Sequence, residues 1–251
     1  MALTIDLSGR VVLVTGGIRG IGLGIAERFR AAGAQVVTCS RSELAGAADH
    51  HVCDVRDAEA VRALVGDVVR QHGRLDVLAN NAGGAPYALA AEASARFHDK
   101  VVGLNLLGPL ACAQAANEVM QQQESGGAIV NVTSVSATRP SPGTAAYGAA
   151  KAGLDSLTAS LAVEWGPKVR VNSIDVGLCR TDDTVDHYGG DHQVAAIERT
   201  IPLGRMARPD EVGNVVAFLA SDLASYVSGA SVACHGGGET PAFLLVQKGL
   251  T

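Results

Sequence analysis

The residues whose types and spacing could do chemistry are Tyr147 and Lys151, four positions apart, with Ser134 thirteen positions before the tyrosine. Four residues are about one helical turn, so a helix here would place the phenol and the ammonium on one face. A phenol has a pKa near ~10, and a nearby cation lowers it. A serine hydroxyl could hold a substrate oxygen while the tyrosine gives or takes a proton. The spacing therefore predicts an acid–base site; the alternative is a coincidental pair whose lysine extends into water.

A glycine-rich turn near the N-terminus could position a nucleotide for that chemistry. An apolar run at residues 11–14 is typical of a buried strand, and a helical pattern begins at Ile21 and ends near Gly33. The turn between them contains three glycines, Gly16, Gly20 and Gly22. Glycines let the backbone approach a pyrophosphate, and free N–H groups at a helix start face its charge. The segment predicts a dinucleotide site; the alternative is a turn that serves only tight packing.

Strand-like and helix-like segments alternate along the whole chain. Apolar runs typical of strands lie at residues 11–14, 36–39, 51–53, 77–79, 128–132, 169–174 and 231–233. Further helical patterns lie at residues 58–72, 102–123, 148–165 and 209–220. This alternation predicts an α/β fold: one Rossmann-type doubly wound domain over residues 1–251, with a parallel sheet of about seven strands and helices on both faces. Residues 178–205 lack a clear pattern and follow a strand end, so they could be a substrate lid or a long surface connection.

Composition and charge limit the classes of protein that this chain can be. Its 251 residues are 47% hydrophobic and 18% charged, which suffices for one large core. A net charge of −5 gives no electrostatic basis for binding nucleic acid. The five cysteines are scattered without a C-x-x-C pair, as is typical of buried thiols in a reducing compartment. With no signal-peptide pattern and no apolar run of membrane-spanning length, we expect a cytoplasmic protein.

The chain resembles the classical short-chain dehydrogenase/reductases over nearly its whole length. The residues that carry the resemblance are the glycine turn at 15–22, the Asn-Asn-Ala-Gly motif at 80–83, Asn105, Ser134, Tyr147, Lys151, and the closing segments 226–230 and 235–237. Their order and spacing agree with the family pattern. The resemblance implies a Rossmann-type fold and an enzyme that moves a hydride between a nicotinamide cofactor and a carbonyl or secondary alcohol.

The resemblance implies a role for each member of a catalytic set. Tyr147 is then the general acid in the reducing direction and the base in the oxidising direction. Lys151 lowers the pKa of Tyr147 and holds the nicotinamide ribose, while Ser134 binds the substrate oxygen, with Ser136 as a nearby competitor. Asn105 completes the set, and a water beside it extends a proton relay from Lys151. From the residues alone, Asn105 could equally mark a helix kink filled by water.

The resemblance also implies a set of cofactor-binding residues. They are Gly16, Arg19, Gly20, Ile21, Gly22, Ser40, Arg41, Asp54, Val55, Asn81, Ala82, Gly83, Tyr147, Lys151, Gly177, Cys179 and Thr181. Other roles stay open at two of these motifs. Asp54 could cap a helix near Asp57, and residues 80–83 could be a turn that stabilises the sheet.

The segment after the second predicted strand bears on the choice between NAD(H) and NADP(H). An acidic residue there would hydrogen-bond the adenosine ribose of NAD, whereas this chain has Ser40 and Arg41. Arg41 can pair with a 2′-phosphate in bidentate geometry, and Arg19 in the glycine turn is a second cation within reach. These residues favour NADP(H). NAD(H) stays an alternative, because either arginine could be merely exposed and Glu43 could neutralise Arg41.

The sequence departs from the family pattern at two positions. Val176 stands where the family usually has a proline, and His235 stands where aspartate is common. A valine keeps an N–H donor and does not fix φ, which leaves the implied nicotinamide contacts at Cys179 and Thr181 open. Asp175 also puts a carboxylate near the site, where it could disfavour anionic substrates or form a salt-bridged or solvated strand end.

The resemblance places a substrate lid at about residues 178–205. Potential metal ligands are frequent there: Asp182, Asp183, Asp186, His187, Asp191 and His192. Their spacing matches no defined metal motif, so we expect a solvated acidic loop and no metal.

The interpretation that the residues favour is an NADP(H)-dependent oxidoreductase acting on a small carbonyl compound or alcohol. The alternatives are an NAD(H)-dependent alcohol dehydrogenase of the same family, an isomerase or dehydratase on the same scaffold, and a nucleotide-sensing protein without turnover. The complete catalytic set counts against the last. The resemblance further implies a homotetramer or dimer paired through the alanine-rich helices at 102–123 and 148–165, although packing on the sheet explains the same alanines. We expect no nucleic-acid or membrane partner.

Overall fold

Seven strands form one parallel sheet within the described part of the chain. The computed structural model describes residues 4–44, 46–47, 49–247 and 249, apart from the side chains of residues 186 and 187. The strands are β1 (Val11–Thr15), β2 (Gln35–Ser40), β3 (His50–Val52), β4 (Val77–Asn80), β5 (Gly127–Ser134), β6 (Val169–Val176) and β7 (Ser231–Cys234). They pair in the order β3-β2-β1-β4-β5-β6-β7. The predicted α/β fold is therefore confirmed.

Helices cover both faces of the sheet. They are α1 (Gly20–Ala31), α2 (Ala58–His72), α3 (Ala95–Val102), α4 (Gly108–Gln122), α5 (Ala145–Trp165), α6 (Thr184–Tyr188), α7 (Asp191–Glu198), α8 (Pro209–Ala220) and α9 (Ala242–Gln247). One core cluster packs α2, α4 and α5 against the sheet, and a second packs α1 and α8 against the opposite face. Removal of these apolar faces from water stabilises both layers. Over the described residues, no helix has the length and apolar character needed to cross a membrane.

Helix α2 shows how the sequence fixes the bounds of an element. The carboxylate of Asp57 accepts hydrogen bonds from the backbone N–H groups of Glu59 and Ala60 at the start of the helix. Gly73 ends it with a φ of 78°, a left-handed conformation that a side chain would oppose. The helix buries one stripe at helical spacing, formed by Val61, Leu64, Val65 and Val68. The cap of this helix is thus Asp57, which leaves Asp54 free for another role.

The strand order reverses beside β1. From β1 the chain builds β2 and β3 on one side, and β4 to β7 on the other side. The chain segments that connect the strands on the two sides of β1 cross opposite faces of the sheet. This arrangement leaves a crevice at the carboxyl ends of the central strands. The turns that follow β1, β4, β5 and β6 therefore meet at one edge.

Two segments differ from the sequence-based expectation. The predicted helix at 102–123 is interrupted by a π-helical segment, Gly103–Leu107, between α3 and α4. The side chain of Asn105 donates to the carbonyl of Val101 (2.9 Å) within this segment, and such segments often mark functional sites. Residues 178–205 contain the short helices α6 and α7. Few apolar residues anchor them, chiefly a small cluster of Val194, Ile201 and Met206, so their helical pattern is weak in the sequence.

Candidate active site

A cleft of about 710 Å³ opens at the carboxyl ends of the strands. Seventeen predicted site residues line it, as counted over the described chain: Gly16, Arg19, Gly20, Ile21, Gly22, Ser40, Arg41, Asp54, Val55, Asn81, Ala82, Gly83, Ser134, Tyr147, Lys151, Gly177 and Thr181. Two predicted residues, Asn105 and Cys179, do not line it. Residues far apart in the sequence thus converge because their strands all end at this edge of the sheet.

The glycine turn after β1 is closely packed and open toward the cleft. Gly16 and Gly20 have φ values of 66° and 51°, in the left-handed region that favours glycine. A Cβ atom at Gly22 would lie 2.1 Å from the Gly16 oxygen, so no side chain fits there. Helix α1 begins at Gly20, so Gly22 lies in its first turn, and its N-cap residue Arg19 provides no side-chain hydrogen bond. The first N–H groups of this helix can therefore bind an anion in the cleft.

The Asn-Asn-Ala-Gly motif both stabilises the sheet and lines the cleft. The side chain of Asn81 donates to the carbonyls of Thr15 (2.9 Å) and Gly16 (3.2 Å). In return, the hydroxyl of Thr15 accepts from the backbone N–H groups of Asn81 and Ala82 (3.0 Å each). These bonds tie the end of β4 to the glycine turn after β1. The motif can therefore stabilise the sheet and also line a cofactor site, so these two interpretations do not exclude each other.

Tyr147, Lys151 and Ser134 meet at the base of the cleft. Tyr147 and Lys151 lie one turn apart on α5, and the Lys151 ammonium is 5.7 Å from the centre of the tyrosine ring. Lys151 is 3% exposed, and its Nζ donates to the carbonyl of Val132 (2.7 Å). Ser134, at the end of β5, lines the cleft together with Tyr147. Its competitor Ser136 instead accepts from another serine hydroxyl, that of Ser141 (3.2 Å).

Burial is the largest cause of the pKa changes of Tyr147 and Lys151. It raises the pKa of Tyr147, while the hydrogen bond to Ser134 opposes that change. Burial also lowers the pKa of Lys151 to about 8, against the favourable charge of Asp155. The sequence predicts that Lys151 lowers the pKa of Tyr147, whereas the net direction here is upward, because loss of water disfavours the phenolate more than these neighbours favour it.

Asn105 lies directly behind the cleft and shapes its wall. Its side chain donates to the carbonyl of Gly84 (2.9 Å) and accepts from the N–H group of Gly84 (2.8 Å). A Cβ atom at Gly83 would lie 2.8 Å from the Asn105 Oδ1 atom and 3.3 Å from the Lys151 Nζ atom. Asn105 therefore fixes the loop after β4 next to Lys151. The helix kink that the sequence offers as the alternative at Asn105 corresponds to the π-helical segment.

The loop after β2 presents a free cation to the cleft. Arg41 is exposed and, in the part of the chain that the structure describes, no carboxylate forms a salt bridge with it, Glu43 included. Arg41 still lowers the pKa of Asp54, whose carboxylate chiefly bonds Arg56. Sequence reasoning missed His50, whose ring nitrogens contact the Thr38 hydroxyl (2.9 Å) and the Ser42 carbonyl (2.9 Å). His50 thereby holds the loop of Arg41, and only the pairing of β3 with β2 reveals it.

The far wall of the cleft comes from the segment after β6. Arg19 and Asp183 approach to 3.8 Å across the mouth, and both are largely exposed. The predicted contact residue Cys179 instead pairs through its backbone with Ala207 and packs on the second core cluster. Val176, in place of proline, is buried in the same cluster. No group of three or more potential metal ligands occurs within the described residues.

Comparison with known proteins identifies the family. A family model described as Enoyl-(Acyl carrier protein) reductase matches residues 16–239. The chain is 37% identical to the D-threitol dehydrogenase of Mycolicibacterium smegmatis, over 92% of this chain and 93% of that protein. It is 36% identical to the 3-oxoacyl-(acyl-carrier-protein) reductase FabG of Thermotoga maritima, over 92% and 98%. The aldohexose dehydrogenase of Thermoplasma acidophilum superposes with a TM-score of 0.88 at 30% identity, over 93% and 95%. The chain therefore belongs to the short-chain dehydrogenase/reductase family of oxidoreductases, which bind NAD(P).

Proposed function

We propose that this oxidoreductase uses NADP(H) to interconvert a small carbonyl compound and its secondary alcohol, with Tyr147 as the general acid–base group. The observation that carries the proposal is the convergence of Tyr147, Ser134 and Lys151 at one end of a cleft whose other end holds Arg41.

The cleft fits a dinucleotide. Two features of the glycine turn suit a pyrophosphate. The backbone is closely packed at Gly22, where a Cβ atom would not fit, and the first N–H groups of α1 have no side-chain cap. Lys151, on the same side as Tyr147, would hold the nicotinamide ribose, and Asn81, Ala82 and Gly83 would line the neighbouring wall. When bound, the cofactor supplies or accepts the hydride.

Tyr147 and Ser134 would manage the proton at the substrate oxygen. In the reducing direction, the neutral phenol of Tyr147 donates its proton to the carbonyl oxygen as that oxygen gains charge. The raised pKa of Tyr147 keeps the phenol protonated at neutral pH, which suits this direction. The Ser134 hydroxyl donates a hydrogen bond to the same oxygen and orients it. Lys151, with a pKa of about 8, is mostly protonated at neutral pH and stabilises the developing phenolate.

Arg41 and Arg19 carry the preference for NADP(H). Arg41 lines the cleft, and no carboxylate among the described residues forms a salt bridge with it, so a 2′-phosphate could bind there as a strong partner. Charge-assisted hydrogen bonds of this kind contribute about 1.5–3 kcal/mol, or roughly 10- to 150-fold in affinity. Arg19 would contribute less, because Asp183 already lies 3.8 Å away.

The remaining predictions extend the proposal to the whole protein. The two core clusters share one sheet, which supports a single domain. Thr181, Asp182 and Asp183 line the cleft, which supports residues 178–205 as its lid. All five cysteines are free thiols, which supports a reducing, cytoplasmic location. Exposed apolar side chains at Leu107 and Val163, beside α4 and on α5, support a homo-oligomer built through these helices. The relatives named above are a D-threitol dehydrogenase, a 3-oxoacyl-(acyl-carrier-protein) reductase and an aldohexose dehydrogenase, so a screen should start with small carbonyl compounds and alcohols.

Two measurements test this proposal. Fluorescence titration with NADPH and NADH should show much tighter binding of NADPH, and Arg41→Ala should remove most of the difference; the exposed Arg30→Ala on α1 is the matched control. Tyr147→Phe should retain NADPH binding and lose turnover of any substrate found in the screen. Turnover that survives Tyr147→Phe refutes the catalytic role, and preferential binding of NADH refutes the cofactor assignment.

A further inference from the structure

A histidine on the edge strand of the sheet contacts the loop that carries Arg41. Strand β2 ends at Ser40 and strand β3 begins at His50, so Arg41 lies on the connection between two paired strands. In the register of this pair, His50 lies beside Thr38, two residues before the end of β2. The ring of His50 is partly buried at this edge. The proposed function assigns no role to its side chain.

The two ring nitrogens of His50 have different partners. Nε2 lies 2.9 Å from the carbonyl oxygen of Ser42 and 3.3 Å from the hydroxyl oxygen of Ser40. A carbonyl oxygen can only accept, so Nε2 carries a proton and donates a hydrogen bond to Ser42. Nδ1 lies 2.9 Å from the hydroxyl of Thr38, which fixes the ring against β2. One nitrogen thus holds the loop, and the other holds the ring in place.

Ser40 and Ser42 complete a small network around the backbone of Arg41. The Ser40 hydroxyl donates to the Ser42 carbonyl (2.8 Å) and accepts from the Ser42 N–H group (3.2 Å). The backbone is therefore held on both sides of Arg41, while the Arg41 side chain is exposed and lines the cleft. A loop that is ordered before its ligand arrives loses less conformational entropy on binding. The network therefore prepares Arg41 to bind an anion at this end of the cleft.

We propose that His50 is a positioning residue for the cofactor: its Nε2 atom fixes the loop of Arg41 and thereby determines the preference for NADP(H). The inference rests on the proposed function, because it needs Arg41 to bind the 2′-phosphate. His50 acts through Arg41, since it is not among the described residues that line the cleft. Loss of the Nε2 contact should therefore weaken the binding of NADPH and leave the binding of NADH unchanged.

Two amide variants separate the two nitrogens of His50. The amide of glutamine reaches the position of Nε2, so His50→Gln can still donate to the Ser42 carbonyl and should keep the preference for NADPH. The shorter amide of asparagine reaches only the position of Nδ1, so His50→Asn should lose the contact with the loop. The loss of this one hydrogen bond should weaken NADPH binding roughly 5-fold and leave NADH binding unchanged.

Fluorescence titration with NADPH and with NADH measures both affinities without turnover. The two cofactors differ only by the 2′-phosphate, so the ratio of their affinities isolates the effect at Arg41. His51→Asn on the same strand is the matched control, because its Nε2 atom has no hydrogen-bond partner within the described residues. This control should keep the wild-type ratio. His50→Phe keeps a ring and removes both contacts, so it should lower the ratio and serves as the second variant if His50→Asn does not fold.

The Arg41→Ala background tests whether His50 acts through Arg41. In that background, His50→Asn should weaken NADPH binding no further. Equal losses of NADPH and NADH affinity, an unchanged ratio in His50→Asn and His50→Phe, or a further loss in the Arg41→Ala background overturns the role of His50.

The same titrations distinguish a failure of this role from a failure of the proposed function. A wild type that prefers NADPH, with a ratio that His50→Asn leaves unchanged, refutes only the role of His50. A wild type that binds NADH more tightly overturns both the cofactor assignment and this role. A lowered ratio in His50→Asn, together with turnover that survives Tyr147→Phe, supports the role of His50 and refutes the proposed catalytic group.

Discussion

The buried positive charge of Lys151 should lower the unfolding free energy of the protein at neutral pH, compared with an uncharged side chain at this position. Its side chain is 3% exposed, and its pKa falls from an ordinary value of 10.5 to about 8, chiefly because burial removes water from the ammonium. Each pKa unit corresponds to about 1.4 kcal/mol, so the buried charge costs roughly 3 kcal/mol of unfolding free energy. Lys151→Met keeps the length of the side chain and removes that cost.

The sign follows from proton binding. Between pH 8 and pH 10.5 the unfolded chain holds a proton on Lys151 that the folded protein has lost, so the unfolding free energy of the wild type rises with pH through this window. The cost is present in full below pH 8 and absent above pH 10.5. Lys151→Met also loses the hydrogen bond to Val132, worth about 1 kcal/mol. We therefore expect the variant to be more stable by roughly 2 kcal/mol at pH 7, with an advantage that disappears toward pH 10.5.

The assay is urea unfolding, followed by circular dichroism at constant protein concentration, at several values between pH 7 and pH 10.5. Comparing two proteins at each pH cancels the titration of all other groups. Lys168→Met serves as the control, because the Lys168 side chain is exposed and donates to the carbonyl of Gln123 (2.8 Å). A stability difference that stays constant across this range, or a wild type that is the more stable protein at pH 7, would refute the reasoning about burial.

Further predictions concern the cleft and the core. Gly22→Ala should weaken NADPH binding at least 10-fold, because its Cβ atom would lie 2.1 Å from the Gly16 oxygen, whereas Gly66→Ala on α2, with nothing within 4 Å, should bind normally. Asp183→Asn should tighten NADPH binding by up to about 5-fold at low salt, since an exposed ion pair with Arg19 contributes at most about 1 kcal/mol; the gain should be absent in an Arg19→Ala background. Phe29→Ala, at a fully buried position, should lower the unfolding free energy by about 3–5 kcal/mol in the same urea assay.

The sequence predicts the fold well because its signals are local. Each predicted strand overlaps an observed strand, and the alternation of strands and helices leaves few topologies once crossovers are right-handed. The sequence offers a helix kink at Asn105 but does not show that it is a π-helical segment at Gly103–Leu107, because Asn105 hydrogen-bonds Gly84, a residue outside its own helix. Helices α6 and α7 were missed because their buried apolar residues are too few to produce a periodic pattern.

The sequence by itself determined the chemistry that could meet at the site. A sequence shows the spacing of residues within one helix or one turn. That spacing is enough to recognise the pair Tyr147 and Lys151 and the glycine turn after β1. Only the tertiary structure decided the electrostatics. The pKa directions of Tyr147 and Lys151 depend on how much water each group loses and on which groups pack beside it. Burial and contacts between distant segments arise only when the sheet assembles, so no local pattern records them.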